Sequence, residues 1–362
     1  MNERAWVRHF DEIGIGDRPT VGGKGASLGE LLRAGIAVPP GCVVTTDAFQ
    51  HFLDACDPNR TIRRRIEMLS ADDLDSIAAA SADVRASLEQ AELSAALHEG
   101  IAAGLERVCG GEDQTPMAVR SSATSEDSAE ASFAGLQDTY LWVRGVGAVI
   151  EHVRRCFASL YSVESLTYRR RLGMSEDGLA MAVVIQRMVD ARSSGVMFTR
   201  SPTTGDRSVV TLESSWGLGS AVVSGEVTPD RFVVAKVTSE ISRRDVSVKM
   251  RRHRPHPCGS GVVEEEVPEA QRDVASVSDA EVLALASIAR KVERHYGCAQ
   301  DIEWAIAHGC APGEGVFLLQ SRPETVWANR EAAAVAAPKP RAVDHVFAML
   351  GASRAQPRKE AR

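Results

Sequence analysis

Short apolar runs, punctuated by glycine, proline and hydroxyl residues, dominate the pattern along this chain. "VGGKGASLGELLRAG" (21–35) reads as a glycine turn running into a short helix, with Leu28, Leu31 and Leu32 at helical spacing and Gly35 as its stop. "IAVPPGCVVTTDAF" follows as a diproline turn and a short β-branched strand. From about 73 to 108 the pattern is helical and rich in Ala and Leu. Residues 147–171 predict one long amphipathic helix, with Val149, Val153, Phe157 and Leu160 on one stripe. "LAMAVVIQRMV", "SGVMFT", "SVVTLESS" and "RFVVAKV" predict strands, and strand-rich sequence continues to about 267. "SDAE" (278–281) is a capping box, Ser278 as N-cap and Glu281 three residues on, before a helix over 280–296. Two strands, "QDIEWAI" and "GVFLLQSR", close the pattern around a Gly/Pro turn. The resulting fold class is α+β. No internal repeat is visible. Beyond Trp327 the composition shifts to Ala, Pro, Lys and Arg, so 328–362 reads as a solvated tail whose one amphipathic stretch, 342–351, could dock on a partner.

Composition narrows the class. The 362 residues suffice for two domains or one bilobal unit, and 44% apolar with 25% charged residues is ordinary for a folded protein. A net charge of -7 argues against a nucleic-acid binder. "MNERAWVRHFDEIG" has no apolar leader, and no apolar run reaches a membrane span, so a cytoplasmic location is expected. The cysteines (42, 56, 109, 156, 258, 298 and 310) form no C-x-x-C pair and read as reduced thiols.

The glycine stretches match neither common nucleotide motif. Lys24 is followed by Gly25 and Arg18 stands where a Walker loop needs its first glycine; Gly217 and Gly219 lack the third glycine of a dinucleotide fingerprint. Phosphate chemistry is still suggested. Lys24 lies in a glycine turn at a helix start, where free amides favour an anion. Arg120 ends an apolar strand and opens "SSATSEDSAEASFAGLQ", whose small residues let backbone amides approach phosphate oxygens. In the terminal hairpin, Asp301 and Glu303 share one strand face, while Ile302, Trp304 and Ile306 share the other; Gln320 and Arg322 share a face with Leu318. Two carboxylates, an amide and a guanidinium at one place suit Mg²⁺ and phosphate, although the same spacing also describes an exposed ion-paired face. "QRMV" could offer backbone amides to a base. The basic stretch 243–257 is followed at once by "EEEVPEA" and reads as a charge-mixed surface.

With these residues in view, the chain resembles, from about 12 to 327, the N-terminal ATP-binding region of the phosphoenolpyruvate synthase and pyruvate phosphate dikinase family. The resemblance rests on "VGGKGASLGELLRAGIAVPPGCVVTTDAF", "AVRSSATSEDSAEASFAGLQDTY", "GVMFTRSPTTGD", "ESSWGLGSAVVSGEVTPD", "DIEW" and "LLQSRPETVW". It implies an ATP-grasp-like fold: an N-terminal lobe over 1–188, a C-terminal lobe over 189–327 and a tail. It implies further that Lys24 and Arg120 hold ATP phosphates, that Ser132, Gly135 and Gln137 belong to a glycine loop covering them, and that Gln186 and Met188 lie at the adenine, with Glu213 nearby. Glu303 and Gln320, supported by Asp301, would bind Mg²⁺, and Arg322 would grip the transferring phosphates. Lys24, Arg120 and Arg322 are the implied catalytic residues.

Family members pass phosphate to a histidine domain marked by "TSH", and none of the nine histidines here has that context. The layout resembles the stand-alone ATP-binding subunit of phenylphosphate synthase and 4-methylphenyl phosphate synthase, with the phosphohistidine and the phenol site on a partner subunit. Pyruvate or a rifamycin-type antibiotic is the alternative acceptor, and a non-catalytic nucleotide sensor the alternative role.

Overall fold

The computed structural model describes residues 6–112, 114–123, 138–257, 259–310 and 314–327. Met1–Thr325 form one compact unit; of the second, Val326–Arg362, only a turn at Val326 and Trp327 is described. Helices and antiparallel sheets are mixed, as the sequence pattern expects.

The first sheet contains β1 (Val7–His9), β2 (Gly41–Val44), β3 (Met117–Ala123), β4 (Thr139–Val143) and β5 (Met181–Arg187), in the order β1-β2-β5-β3-β4. Helix α1 (Arg18–Arg33) covers one of its faces. The other face packs, through Val44, Val119, Val183 and Ile185, on a helical layer. That layer is built from α2 (Thr46–Cys56), α3 (Thr61–Glu67), α4 (Leu74–Gln90), α5 (Ala95–Cys109), α6 (Val146–Ser159) and α7 (Val163–Arg171). The stripe Val149, Val153, Phe157 and Leu160 is buried there. Yet 147–171 is two helices, not one: Ser162 caps α7 by accepting from the Ser165 amide, so a new helix starts inside a continuing apolar pattern.

The second sheet begins with β6 (Ala191–Phe198), β7 (Val209–Trp216), the four-residue helix α8 (Ser220–Val223), β8 (Asp230–Ala235) and β9 (Ile241–Asp245). A separate hairpin, β10 (Arg251–Pro255) with β11 (Val262–Glu266), precedes α9 (Asp279–Tyr296). The strands β12 (Gln300–Ala307) and β13 (Val316–Pro323) return to the sheet, whose order is β13-β12-β6-β7-β8-β9. The capping box of α9 forms with Ser278 and Glu281. Residues 188–190 carry the chain from the first sheet to the second. A second core joins Val184 and Val43 of the first sheet, Leu28 and Leu31 of α1, and Leu212, Phe232, Ile302 and Trp304 of the second sheet.

The basic stretch is indeed charge-mixed: Arg251 pairs with Glu264, and Arg252 and Arg254 with Glu265. Lys249 is the exception. It is fully buried against Asp230, which also accepts from the Ser247 amide at 3.0 Å and from the amide and hydroxyl of Ser276, both at 2.8 Å. This pair pins the entry to β10. The described cysteines are free thiols, and burial pushes the Cys42 thiol up to about 12, far from thiolate chemistry. No described helix is long and apolar enough to cross a membrane.

The glycine turn is a kink within α1. Gly22 has φ 70° and ψ 176°, and a Cβ there would lie 2.1 Å from the Ser122 carbonyl oxygen. The Ser122 hydroxyl donates to the Val21 carbonyl at 3.1 Å, so the turn is docked on β3. Gly22→Ala is therefore expected to destabilise the protein by roughly 2–4 kcal/mol, from both the left-handed backbone and the clash. Chemical denaturation measures this, and an unchanged midpoint would contradict the tight docking.

Candidate functional site

The elements around residues 188–190 enclose a cavity of about 410 Å³. One end carries Lys24, Arg120, Glu303 and Arg322; apolar groups, among them Ala118, Leu141, Val189, Leu218 and Leu319, line much of the rest. That division suits a ligand with an anionic end and a flat apolar end.

Arg120 lies in the middle of β3, which runs on to Ala123, so it does not end the strand as the pattern implied. It is 8% exposed, and its guanidinium reaches across to the second sheet. Nη1 donates to the Leu319 carbonyl at 3.0 Å; Nη2 donates to Glu303 Oε2 at 3.2 Å and to Gln320 Oε1. Lys24, also buried, donates from Nζ to the Ser121 carbonyl at 3.0 Å. The kink at Gly22 thus delivers the lysine to the strand that carries the arginine.

The hairpin register brings the polar quartet together: Glu303 stands opposite Gln320 and Asp301 opposite Arg322. Leu318 departs from the expected shared face. The register jumps from Glu303↔Gln320 to Trp304↔Leu318, so Leu319 is an extra residue in β13, and Leu318 turns into the core beside Trp304. A bulge residue is left out of the ladder, which places the Leu319 carbonyl at Arg120's disposal.

Asp301 is held by burial well above its ordinary 3.8, at about 6, with Arg322 Nε 3.5 Å away pulling the other way. Its Oδ1 is buried with no hydrogen-bond partner among the described residues. An orphan carboxylate oxygen beside Glu303 and the Gln320 amide oxygen forms an all-oxygen donor set suited to a hard divalent cation, so these residues fit Mg²⁺.

Gln186 and Met188 both line the cavity. Gln186 is 3% exposed and its Nε2 has no partner. The "QRMV" amides are mostly spoken for: that of Arg187 goes to the Pro40 carbonyl and that of Met188 to the Pro116 carbonyl, both at 2.9 Å. Glu213 is not among the lining residues. It shares a cross-strand row with Glu303 through Val196, two strands and about 10 Å away. Ser132, Gly135 and Gln137 lie outside the described residues.

Sequence reasoning missed one group at this site. Ser220 lines the cavity, and its hydroxyl lies 2.8 Å from His253 Nδ1, whose Nε2 lies 2.9 Å from Glu226 Oε2. No spacing signals this trio, because the bridge between Leu218 and His253 makes it.

The Asp301 shift has a stability consequence. The folded carboxyl keeps its proton to higher pH than the unfolded one, so acid favours the native state between about 3.8 and about 6, and that contribution is gone above the upper value. Asp301→Asn removes the cost of the buried charge. It is expected to raise the stability of metal-free protein at pH 7.5 by on the order of 1–3 kcal/mol, an advantage that shrinks below pH 5. Thermal melts in chelator across this range test it; equal melting points at pH 7.5 would contradict the assignment.

A family model described as pyruvate phosphate dikinase, AMP/ATP-binding domain, matches residues 18–342. The phosphoenolpyruvate synthase of Escherichia coli K12 is 39% identical over 334 residues, covering 88% of this chain and 42% of that protein. That of Aeropyrum pernix is 40% identical over 364 aligned positions, 93% of this chain and 44% of the relative. The rifampicin phosphotransferase of Streptomyces sviceus is 39% identical over 322 residues, 88% of this chain and 36% of the relative. The chain thus spans less than half the length of each of these three relatives.

Proposed function

We propose, for a chain that belongs to the pyruvate phosphate dikinase AMP/ATP-binding domain family, that it is the ATP-activating part of a dikinase-type phosphotransferase. The observation that carries this is the reach of Arg120 from one sheet to Glu303 and Gln320 on the other, which gathers cation and metal-ligand chemistry at one end of a largely apolar cavity. The fold would be ATP-grasp-like, one lobe around each large sheet, with adenine against Gln186 and Met188. The triphosphate would lie at Lys24, Arg120 and Arg322, beneath the loop containing Ser132, Gly135 and Gln137. Glu303, Gln320 and Asp301 would hold Mg²⁺, which when bound neutralises phosphate charge.

In this reading a histidine nitrogen of a separate domain or partner subunit attacks the β-phosphorus of ATP. The bond from that phosphorus to the α-phosphate oxygen breaks, and AMP leaves. Water then releases the terminal phosphate as Pi, and the remaining phosphoryl group passes to an acceptor hydroxyl. The protein contributes position and electrostatics: Lys24 and the two arginines fix the phosphates and offset charge developing on the leaving oxygen. The acceptor we propose is a phenolic hydroxyl bound by the partner, on the likeness to phenylphosphate synthase. Pyruvate is the second reading, favoured by relatives that are themselves named phosphoenolpyruvate synthase.

Glu303→Gln and Arg322→Ala are each expected to lower AMP formation at least about 100-fold; Arg322→Ala should leave the melting temperature within a few degrees, since its side chain reaches solvent, whereas Glu303→Gln should also lower it by removing the counter-charge of Arg120. Nucleotide chromatography, run with Mg·ATP, the histidine-bearing partner and either phenol, p-cresol or pyruvate, measures this and identifies the acceptor. ADP as the product would sink the dikinase mechanism, and full turnover by either variant would sink the site.

A further inference from the structure

The trio Ser220, His253 and Glu226 forms a hydrogen-bonded chain that ends in the nucleotide cavity, and nothing in the proposed transfer uses it. Its polarity follows from the chemistry of its members when the ring is neutral. A carboxylate only accepts, so the single ring proton then sits on Nε2, facing Glu226. In that state Nδ1 is the acceptor and the Ser220 hydroxyl the donor across 2.8 Å. With its proton committed, Ser220 turns only oxygen lone pairs toward the cavity it lines. The neighbouring Glu264, opposite His253 on β11, has a carboxylate oxygen within 4.8 Å of the ring and of Glu226 and pairs with Arg251 at 2.7 Å, while Glu226 makes the hydrogen bond to Nε2.

The place of Ser220 along the cavity says which ligand group it meets. Rows of paired residues on β12 and β6 run from Glu303 and Val196, through Trp304 and Gly195, to Ala305 and Ser194; Ala307 and Ala191 follow, next to residues 188–190. A Cβ on Gly219 would lie 3.5 Å from Ser194 Oγ, so Gly219 stands over the Ser194 row. That row is two residues, about 7 Å, from the Glu303 row, in the direction of the apolar end. With phosphates at Arg120 and a base beside 188–190, the group lying between them is the sugar. Its hydroxyls are donors. The base has one donor of its own, the 6-amino group, which the ITP arm of the test below separates from the sugar.

We propose that Ser220 accepts a hydrogen bond from a ribose hydroxyl of the nucleotide, and that His253, oriented by Glu226, is the positioning residue that keeps Ser220 an acceptor. The site would thereby select ribonucleotides over a deoxy counterpart. This rests on the ATP reading above. It also predicts that the selectivity belongs to binding and needs no histidine-bearing partner.

Calorimetric titration of the full chain with the Mg²⁺ complexes of ATP, 2′-deoxyATP, 3′-deoxyATP and ITP tests it. We expect wild-type protein to bind one deoxy analogue about 3- to 10-fold more weakly than ATP, the scale of a single neutral hydrogen bond. Ser220→Ala should weaken ATP and ITP alike and abolish the discrimination. His253→Leu should do the same. His253→Asn, whose amide oxygen can stand where Nδ1 stood, should restore it, which a merely structural role would not. Equal wild-type affinity for ATP and both deoxy analogues, or discrimination that survives Ser220→Ala, would overturn the proposal alone. A loss on ATP but not on ITP would move Ser220 to the 6-amino group and overturn the sugar assignment. Failure of wild-type protein to bind ATP would overturn the nucleotide reading and this proposal with it.

Discussion

A guanidinium buried on a central strand must find counter-charge and acceptors, and the site is organised around that requirement. Arg120 cannot return to water, since it is 8% exposed and flanked by the buried residues of β3. A buried charge without partners costs several kcal/mol, so the second sheet has to bring it oxygens. It brings three, from Leu319, Glu303 and Gln320. Two of the three residues that satisfy the arginine, Glu303 and Gln320, also belong to the oxygen set suited to a divalent cation. One arrangement therefore stabilises the fold and fixes the geometry of the candidate site.

The parts that feed this arrangement are local and cheap in sequence. A left-handed glycine kinks α1 and docks it on Ser122. The kink brings Lys24 to the Ser121 carbonyl, one residue from Arg120. A one-residue bulge in β13 exposes a carbonyl. Neither the kink nor the bulge adds an element to the fold; each re-aims groups that regular structure would have consumed.

The hairpin quartet was legible in sequence because strand alternation has a period of two, and four polar residues at even spacing flanked by Ile and Trp leave little choice of face. The capping box at Ser278 was legible for a similar reason: its partners are three residues apart. Leu318 was misplaced because an extra ladder residue leaves no trace in a single sequence. The break between α6 and α7 was hidden because the apolar stripe runs straight through it, and only Ser162 marked the restart. Glu213, which only the family resemblance had placed near the nucleotide, lies in the Glu303 row two strands away and not on the cavity wall. The trio at Ser220 was invisible, its members joined only by tertiary contact.

The buried pair of Lys249 and Asp230 bears on how such a chain can drift over generations. Losing either partner alone strands a charge in the interior, at about 3–5 kcal/mol, and even an apolar pair of equal volume would leave the Ser247 amide and the amide and hydroxyl of Ser276 without their acceptor. The entry to β10, and with it the placement of His253, therefore tolerates little change at any of these positions, while an exposed pair such as Arg251 and Glu264 can be altered one residue at a time at little cost.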